Sequence, residues 1–259
     1  MTIARAPADS TQQMRATDGL SLEHVSLRYA DGTHALDDVS LEIRPGELVT
    51  VVGPSGCGKT TLLNIAAGLL QASGGRLRRA GGSVGYVFQD ATLLPWRTVR
   101  RNVELLCELE RIPKDERRRR AVAALERVGL CGFEEKYPRT LSGGMRMRVS
   151  LARSLTLAPR VFLFDEPFAA LDEITREDLN DELLALFAHE RFAALFITHS
   201  ISEAVFLSSR VLVLSSRPGR VVADVAVPFA YPRAPELRFE PAFTALRRTV
   251  SSALTEGHA

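Results

Sequence analysis

No stretch of this 259-residue chain reaches the roughly 18 consecutive apolar residues that a bilayer-spanning helix needs, so the sequence predicts no membrane span of its own. Cysteine is scarce too. Cys57, Cys107 and Cys131 are odd in number, far apart and without CxxC spacing, which excludes a disulfide scaffold or zinc ribbon and predicts packing residues. Net charge is nearly absent: 33 basic against 31 acidic residues leave +2, so no overall field draws the chain to nucleic acid. The polar stretch from Met1 to about Gly19 lacks the apolar segment of a secretory leader and predicts a disordered tail on a cytoplasmic protein. Lysine is rare as well: only Lys59, Lys114 and Lys136 stand among the 33 basic residues, the rest being arginine.

The remaining composition, 46% hydrophobic, is that of an ordinary globular chain. Leu20–Tyr29 and Ala35–Ile43 alternate apolar and polar residues around the turn Asp31-Gly32, predicting antiparallel strands. Leu48–Val52 is a short β-branched run that ends at Gly53, and the next helical pattern, Thr60–Leu70, closes at Gly68 or at Ser73-Gly74-Gly75. A strand over Val84–Phe88 precedes a charged, leucine-rich helical segment from about Val99 to Leu157. Strands resume at Val161–Phe164, Ala193–Ile197 and Arg210–Leu214, with a helix over Arg176–His189 between them. Buried strands that alternate with helices predict an α/β fold with a parallel sheet. The prolines at 228, 232, 235 and 241 mark a boundary before a terminal helix over Phe243–Leu254. The run Arg117–Arg120 follows two acids and reads as a solvated helix face.

Gly53-Pro54-Ser55-Gly56-Cys57-Gly58-Lys59-Thr60 fits GxxxxGK[ST] and falls between a hydrophobic strand and a helix, where its backbone N–H groups and the helix N-terminus can converge on phosphate oxygens. Lys59 is expected to reach the β- and γ-phosphates, and the Thr60 hydroxyl to bind Mg²⁺. A lysine in so arginine-rich a chain points to a place where a guanidinium does not fit. Four apolar residues then lead into Asp165-Glu166, two adjacent acids at a strand end. Asp165 is expected to help hold Mg²⁺, and Glu166 to polarise or deprotonate the water that attacks the γ-phosphate. Loop and acid pair together predict NTP hydrolysis.

Leu141-Ser142-Gly143-Gly144-Met145, upstream of the acid pair, resembles the LSGGQ signature of the ABC-transporter ATPases. In that family the signature grips the γ-phosphate of nucleotide held by the opposite subunit, which implies a homodimer around two ATP molecules. Gln89 resembles the Q-loop glutamine, a further Mg²⁺ and coupling residue. Asp172 matches the D-loop, His199 the switch histidine, and Tyr29 the aromatic that stacks on adenine, so ATP with Mg²⁺ is the implied ligand; Thr61 completes the nucleotide set. The resemblance covers roughly residues 20–228. It implies a P-loop NTPase (RecA-like) core with a mostly parallel sheet, an antiparallel β subdomain and an inserted helical subdomain over about 95–158, then an extension over 231–259.

Three passages resemble the importer ATPases for nitrate, sulfonates and taurine: Leu93-Leu94-Pro95-Trp96, Phe164–Phe168 and Leu214–Arg220. They imply transmembrane permease partners, with a solute-binding protein engaged indirectly, and a peripheral place on the cytoplasmic face of the plasma membrane. Leu93–Trp96 is expected to form a socket for the permease, with Trp96 in the core as the alternative. Met145 and Ser200 depart from the family pattern, which has Gln and a polar acid there. Two other classes fit part of the pattern, a DNA- or ribosome-acting ABC ATPase and a non-hydrolysing nucleotide-binding scaffold. The former usually carries long coiled coils or paired ATPase units, absent here, and intact Glu166 and His199 oppose the latter.

Overall fold

The computed structural model describes residues 19–257, so the expected N-terminal tail lies outside the described residues apart from Gly19. Two sheets organise the chain. Strands β1 (Leu20–Arg28), β2 (His34–Ile43) and β4 (Gly74–Arg79) form an antiparallel sheet in the order β2-β1-β4. Strands β3 (Leu48–Val52), β5 (Val84–Val87), β6 (Val161–Asp165), β7 (Ala193–Ile197), β8 (Arg210–Leu214) and β9 (Val221–Ala226) form the second, ordered β5-β6-β7-β3-β8-β9. It is parallel except for β9, which runs antiparallel to β8.

The central strands are apolar on both faces because both are covered. Side chains of successive residues point to opposite sides. On β6, Phe162 and Phe164 join one core while Val161 and Leu163 join the other; β3 divides Leu48 and Val52 from Val49 and Val51 in the same way. One core lies between this sheet, helix α1 (Lys59–Ala67) and the antiparallel sheet. The other holds the remaining helices that contribute core residues: α2 (Val99–Val103), α4 (Lys114–Arg127), α5 (Gly143–Leu155), α6 (Glu173–Glu190), α7 (Ile201–Leu207) and α8 (Pro241–Glu256). Helix α3 (Leu105–Leu109) adds Cys107, buried against Thr156. The segment α2–α5 interrupts the chain between adjacent strands β5 and β6.

Several elements depart from the sequence expectation. Residues 74–79, where the sequence predicts no more than a helix stop at Ser73-Gly74-Gly75, are an edge strand: Leu77 faces Leu22 across the ladder, while Arg76 and Arg78 reach Glu23 on the outside. One leucine among glycines and arginines is too weak a pattern to signal it. β5 ends at Val87, which leaves Phe88 and Gln89 beyond the strand. Helix α7 and strand β9 had no sequence assignment. Cys57 and Cys107 are buried as packing residues, but Cys131 is exposed in the turn after Leu130. Arg119 and Arg120 both pair with Glu116 on α4, in keeping with a solvated face. The end of α8 folds back on the β8–β9 turn, where Gly257 O accepts the Ser216 N–H at 3.0 Å.

Candidate functional site

In a parallel sheet the carboxyl ends of the strands share one edge, and a crevice opens where successive crossovers leave in opposite directions. β3 sits between β7 and β8, and Gly53, Glu166 and Thr198 follow the ends of β3, β6 and β7 at that edge. An open cleft of about 340 Å³ lies there, lined by Tyr29, Ser55, Gly56, Gly58, Lys59, Thr60, Thr61 and Glu166, with Thr33, Ala35 and Arg217.

The loop is built from its own backbone. Gly58, the residue before α1, has φ of +106°, and a Cβ there would meet Ala35 O at 2.7 Å, so only glycine fits. Lys59 is 7% exposed, and its ammonium donates to Gly53 O and Pro54 O, both at 2.9 Å, and so closes the loop on itself. Cys57 packs beneath, its Sγ 4.0 Å from Lys59 Nζ, and burial pushes its thiol up. Tyr29 reaches across the mouth, with its hydroxyl 3.0 Å from Thr61 Oγ1.

Thr60 Oγ1 donates to Asp165 Oδ1 at 3.3 Å. These two hard oxygens are the donors that would help hold Mg²⁺ here, directly or through its water shell. Among the described residues no cluster of three or more His, Cys, Asp or Glu is poised to hold a metal unaided. That donor set suits Mg²⁺ arriving with substrate phosphates and water, which is how this ion is usually held. Burial pushes the Asp165 carboxyl up and the adjacent Glu166 charge adds to the rise; hydrogen bonds from Thr60 and Tyr86 pull it back.

Glu166 lies just past β6 with φ of +45°, a left-handed backbone that costs a non-glycine residue about 1–3 kcal/mol and recurs at functional positions. Its N–H donates to Ile197 O at 3.0 Å on the neighbouring strand. Glu166 Oε2 stands 3.1 Å from His199 Nδ1, so the two residues meet as their strand ends require.

Behind His199 is a buried network that sequence reading missed. The Thr198 hydroxyl donates to Glu203 Oε2, and Glu203 Oε1 lies 3.9 Å from Arg176 Nε. Arg176 in turn donates to Phe168 O at 3.3 Å and Leu171 O at 2.7 Å, which ties in the segment between Glu166 and Asp172. Ser200, the departure from the family pattern, caps α7 by accepting the Glu203 N–H at 3.3 Å. Asp172 caps α6, with Oδ1 accepting the Thr175 N–H at 3.0 Å.

The other expected residues lie elsewhere. None of Leu141–Met145 lines the cleft. Ser142 caps α5, its Oγ accepting the Met145 N–H at 3.2 Å, so the N–H groups of Gly143 and Gly144 face outward from a helix N-terminus. Met145 is half-buried against the helical core. Gln89 is exposed beyond β5 and outside the cleft. The segment after it is firmly held. Arg153 donates to Ala91 O and Thr92 O, and fully buried Asn102 brackets Leu94–Thr98, accepting from Leu94 N–H at 2.7 Å and donating to three carbonyls. Trp96 stands on that turn 72% exposed, which excludes the core alternative.

The sheet order, the glycine loop and the acid pair define a P-loop nucleotide hydrolase. Residues 36–169 match the family described as ABC transporter. Taurine import ATP-binding protein TauB of Yersinia pestis bv. Antiqua is 49% identical over 205 residues, 76% of this chain and 80% of that protein. An uncharacterized ABC transporter ATP-binding protein of Methanocaldococcus jannaschii is 49% identical over 206 residues, 77% of each chain. The dimeric ATP-binding cassette MJ0796 in a post-hydrolysis state bound to ADP and Pi superposes with a TM-score of 0.70 at 30% identity, over 82% of this chain and 100% of that one. For cbiO1 of Clostridium perfringens, part of the ABC transporter complex cbiONQ, the TM-score is 0.74 at 28% identity, over 92% and 97%. The chain belongs to the ABC transporter family and is an ATP-binding, ATP-hydrolysing transporter subunit.

Proposed function

We propose that this chain energises an importer for a small solute such as nitrate, a sulfonate or taurine, with ATP clamped between two copies of the chain. Lys59 and the N–H groups of residues 53–61 hold the phosphates, and Tyr29 turns from Thr61 to stack on the base. Thr60, Asp165 and the Q-loop residue Gln89 would hold Mg²⁺, which would neutralise charge on the γ-phosphate. Glu166 accepts a proton from the attacking water as the bond from the γ-phosphorus to ADP breaks; His199 orients that carboxylate.

One observation carries the dimer: the signature Leu141–Met145 presents a helix N-terminus suited to phosphate, yet it is absent from the lining of its own chain's cleft. A head-to-tail pair brings each signature onto the partner's nucleotide, with Asp172 at the seam. Hydrolysis then removes the bridging phosphate and lets the halves part.

The ATPase domain spans residues 20–230, with the helical subdomain over about 95–158 and an extension over 231–259. The importer reading draws on the likeness to TauB. Trp96, held outward by Asn102, offers the permease an apolar anchor. No helix among the described residues is long and apolar enough to cross a membrane, which suits a peripheral subunit on the cytoplasmic face of a permease. A solute-binding protein engages only through that permease, and no nucleic-acid partner is expected. The test is Glu166→Gln with saturating Mg-ATP in size-exclusion chromatography with light scattering. A dimer that dissociates on ATP removal supports the clamp; a species that stays monomeric sinks it.

A further inference from the structure

The turn between β8 and β9 presses on the phosphate loop. Gly219 N–H donates to Ala35 O at 2.9 Å, Gly219 O accepts from Asp37 N–H at 3.0 Å, and Arg220 Nε donates to Asp37 Oδ2 at 2.8 Å. A Cβ on Gly219 would meet Cys57 O at 2.3 Å, so the turn approaches the loop as closely as a glycine allows. This bolted turn carries Arg217, whose Nε donates to Gly56 O at 3.0 Å and whose side chain lines the same cleft as Lys59, Thr60 and Tyr29.

A guanidinium has one Nε–H and two Nη groups, and only the Nε–H is engaged by Gly56. Among the described residues Nη1 and Nη2 make no hydrogen bond or ion pair. The cleft thus gathers Lys59, Arg217 and the N-terminus of α1, with Glu166 in its lining, Asp31 close enough for its charge to feel Arg217, and Asp165 beside Thr60. Cationic and N–H donors that converge on one cleft suit a polyanion.

We propose that Arg217 is a nucleotide-binding residue that donates from its free Nη groups to the polyphosphate of ATP and ADP. The inference rests on the nucleotide cleft assigned above. A guanidinium suits the role because its planar fork meets phosphate oxygens in pairs, and the clamp on Asp37 and Ala35 fixes its base before ligand arrives. The Gly56 carbonyl that receives Arg217 belongs to the phosphate loop, so the side chain is anchored on the loop itself.

The experiment measures calorimetric affinity for Mg-ATP and Mg-ADP in the full chain, wild type beside Arg217→Ala, Arg217→Lys and Lys59→Ala. Arg217→Ala is expected to weaken both nucleotides about tenfold, the gap from wild type narrowing in high salt. Arg217→Lys should recover part of the loss, and the ligand-free unfolding midpoint should stay at the wild-type value. Undiminished affinity in Arg217→Ala while Lys59→Ala loses binding overturns the inference and leaves the cleft intact. So does a loss that comes with a lowered ligand-free midpoint and no recovery by lysine, because Arg217 would then only staple Gly56. Wild-type affinity in Lys59→Ala would bring down the cleft assignment itself, and this inference with it.

Discussion

His199 Nδ1 lies 3.1 Å from Glu166 Oε2 although 33 residues separate them in the chain. β6 and β7 are parallel neighbours with Asp165 opposite Ile197, and the Glu166 N–H bonds to Ile197 O, so both side chains leave the same edge. A positioned partner of this kind is worth about 100-fold in rate. His199→Ala is therefore expected to lower kcat by about that factor while the affinity for Mg-ATP changes by less than about threefold. Steady-state phosphate release beside equilibrium binding checks both halves, and an equal fall in affinity would reject the assignment.

Lys59 has two tasks. Its ammonium holds the Gly53 and Pro54 carbonyls, and in the proposed function its charge also meets phosphate. Removing it leaves those acceptors unmatched, at a cost of about 1–3 kcal/mol. Lys59→Ala should lose nucleotide binding and also lower ligand-free stability in urea. Full stability would mean that the loop does not depend on this clamp.

Asp165 should leave a pH signature. Burial holds its folded pKa above the ordinary 3.8, so the folded state binds the proton more tightly than the unfolded chain. Its contribution is most favourable below 3.8 and declines as pH rises through the window up to the folded value. Asp165→Asn should thus raise the ligand-free midpoint at neutral pH, with the gain vanishing in acid, while Mg-dependent turnover collapses. Thermal unfolding across pH decides; a variant less stable than wild type at pH 7 contradicts the sign.

Glu203 joins the two halves of the catalytic edge through Thr198 and Arg176. Glu203→Ala strips a buried charge-assisted hydrogen bond and is expected to cost about 2–3 kcal/mol, with kcat falling as His199 loses its support. Glu203→Gln, which keeps an acceptor for Thr198, should recover most of the stability. Equal losses in both variants would show that charge, not the hydrogen bond, matters there.

Much of this was legible because local rules decide it. The glycine loop and the apolar run into Asp165-Glu166 are contiguous patterns whose spacing states their geometry. What escaped depends on distant residues. β4 is a strand only because β1 lends it a ladder, and the left-handed Glu166 sits where its N–H meets the Ile197 carbonyl of a strand distant in sequence. By sequence Trp96 fits core or surface alike; it is Asn102, on α2, that holds its turn and leaves the ring exposed. Arg217 falls in a family-like passage, but nothing near it in sequence reveals that its side chain reaches Gly56, 161 residues away.

The backbone bond between Ser216 and Gly257 has a practical corollary. Anything that displaces the end of α8 would also loosen the residue beside Arg217, so nucleotide affinity measured after such a change would read the docking of that helix together with the cleft.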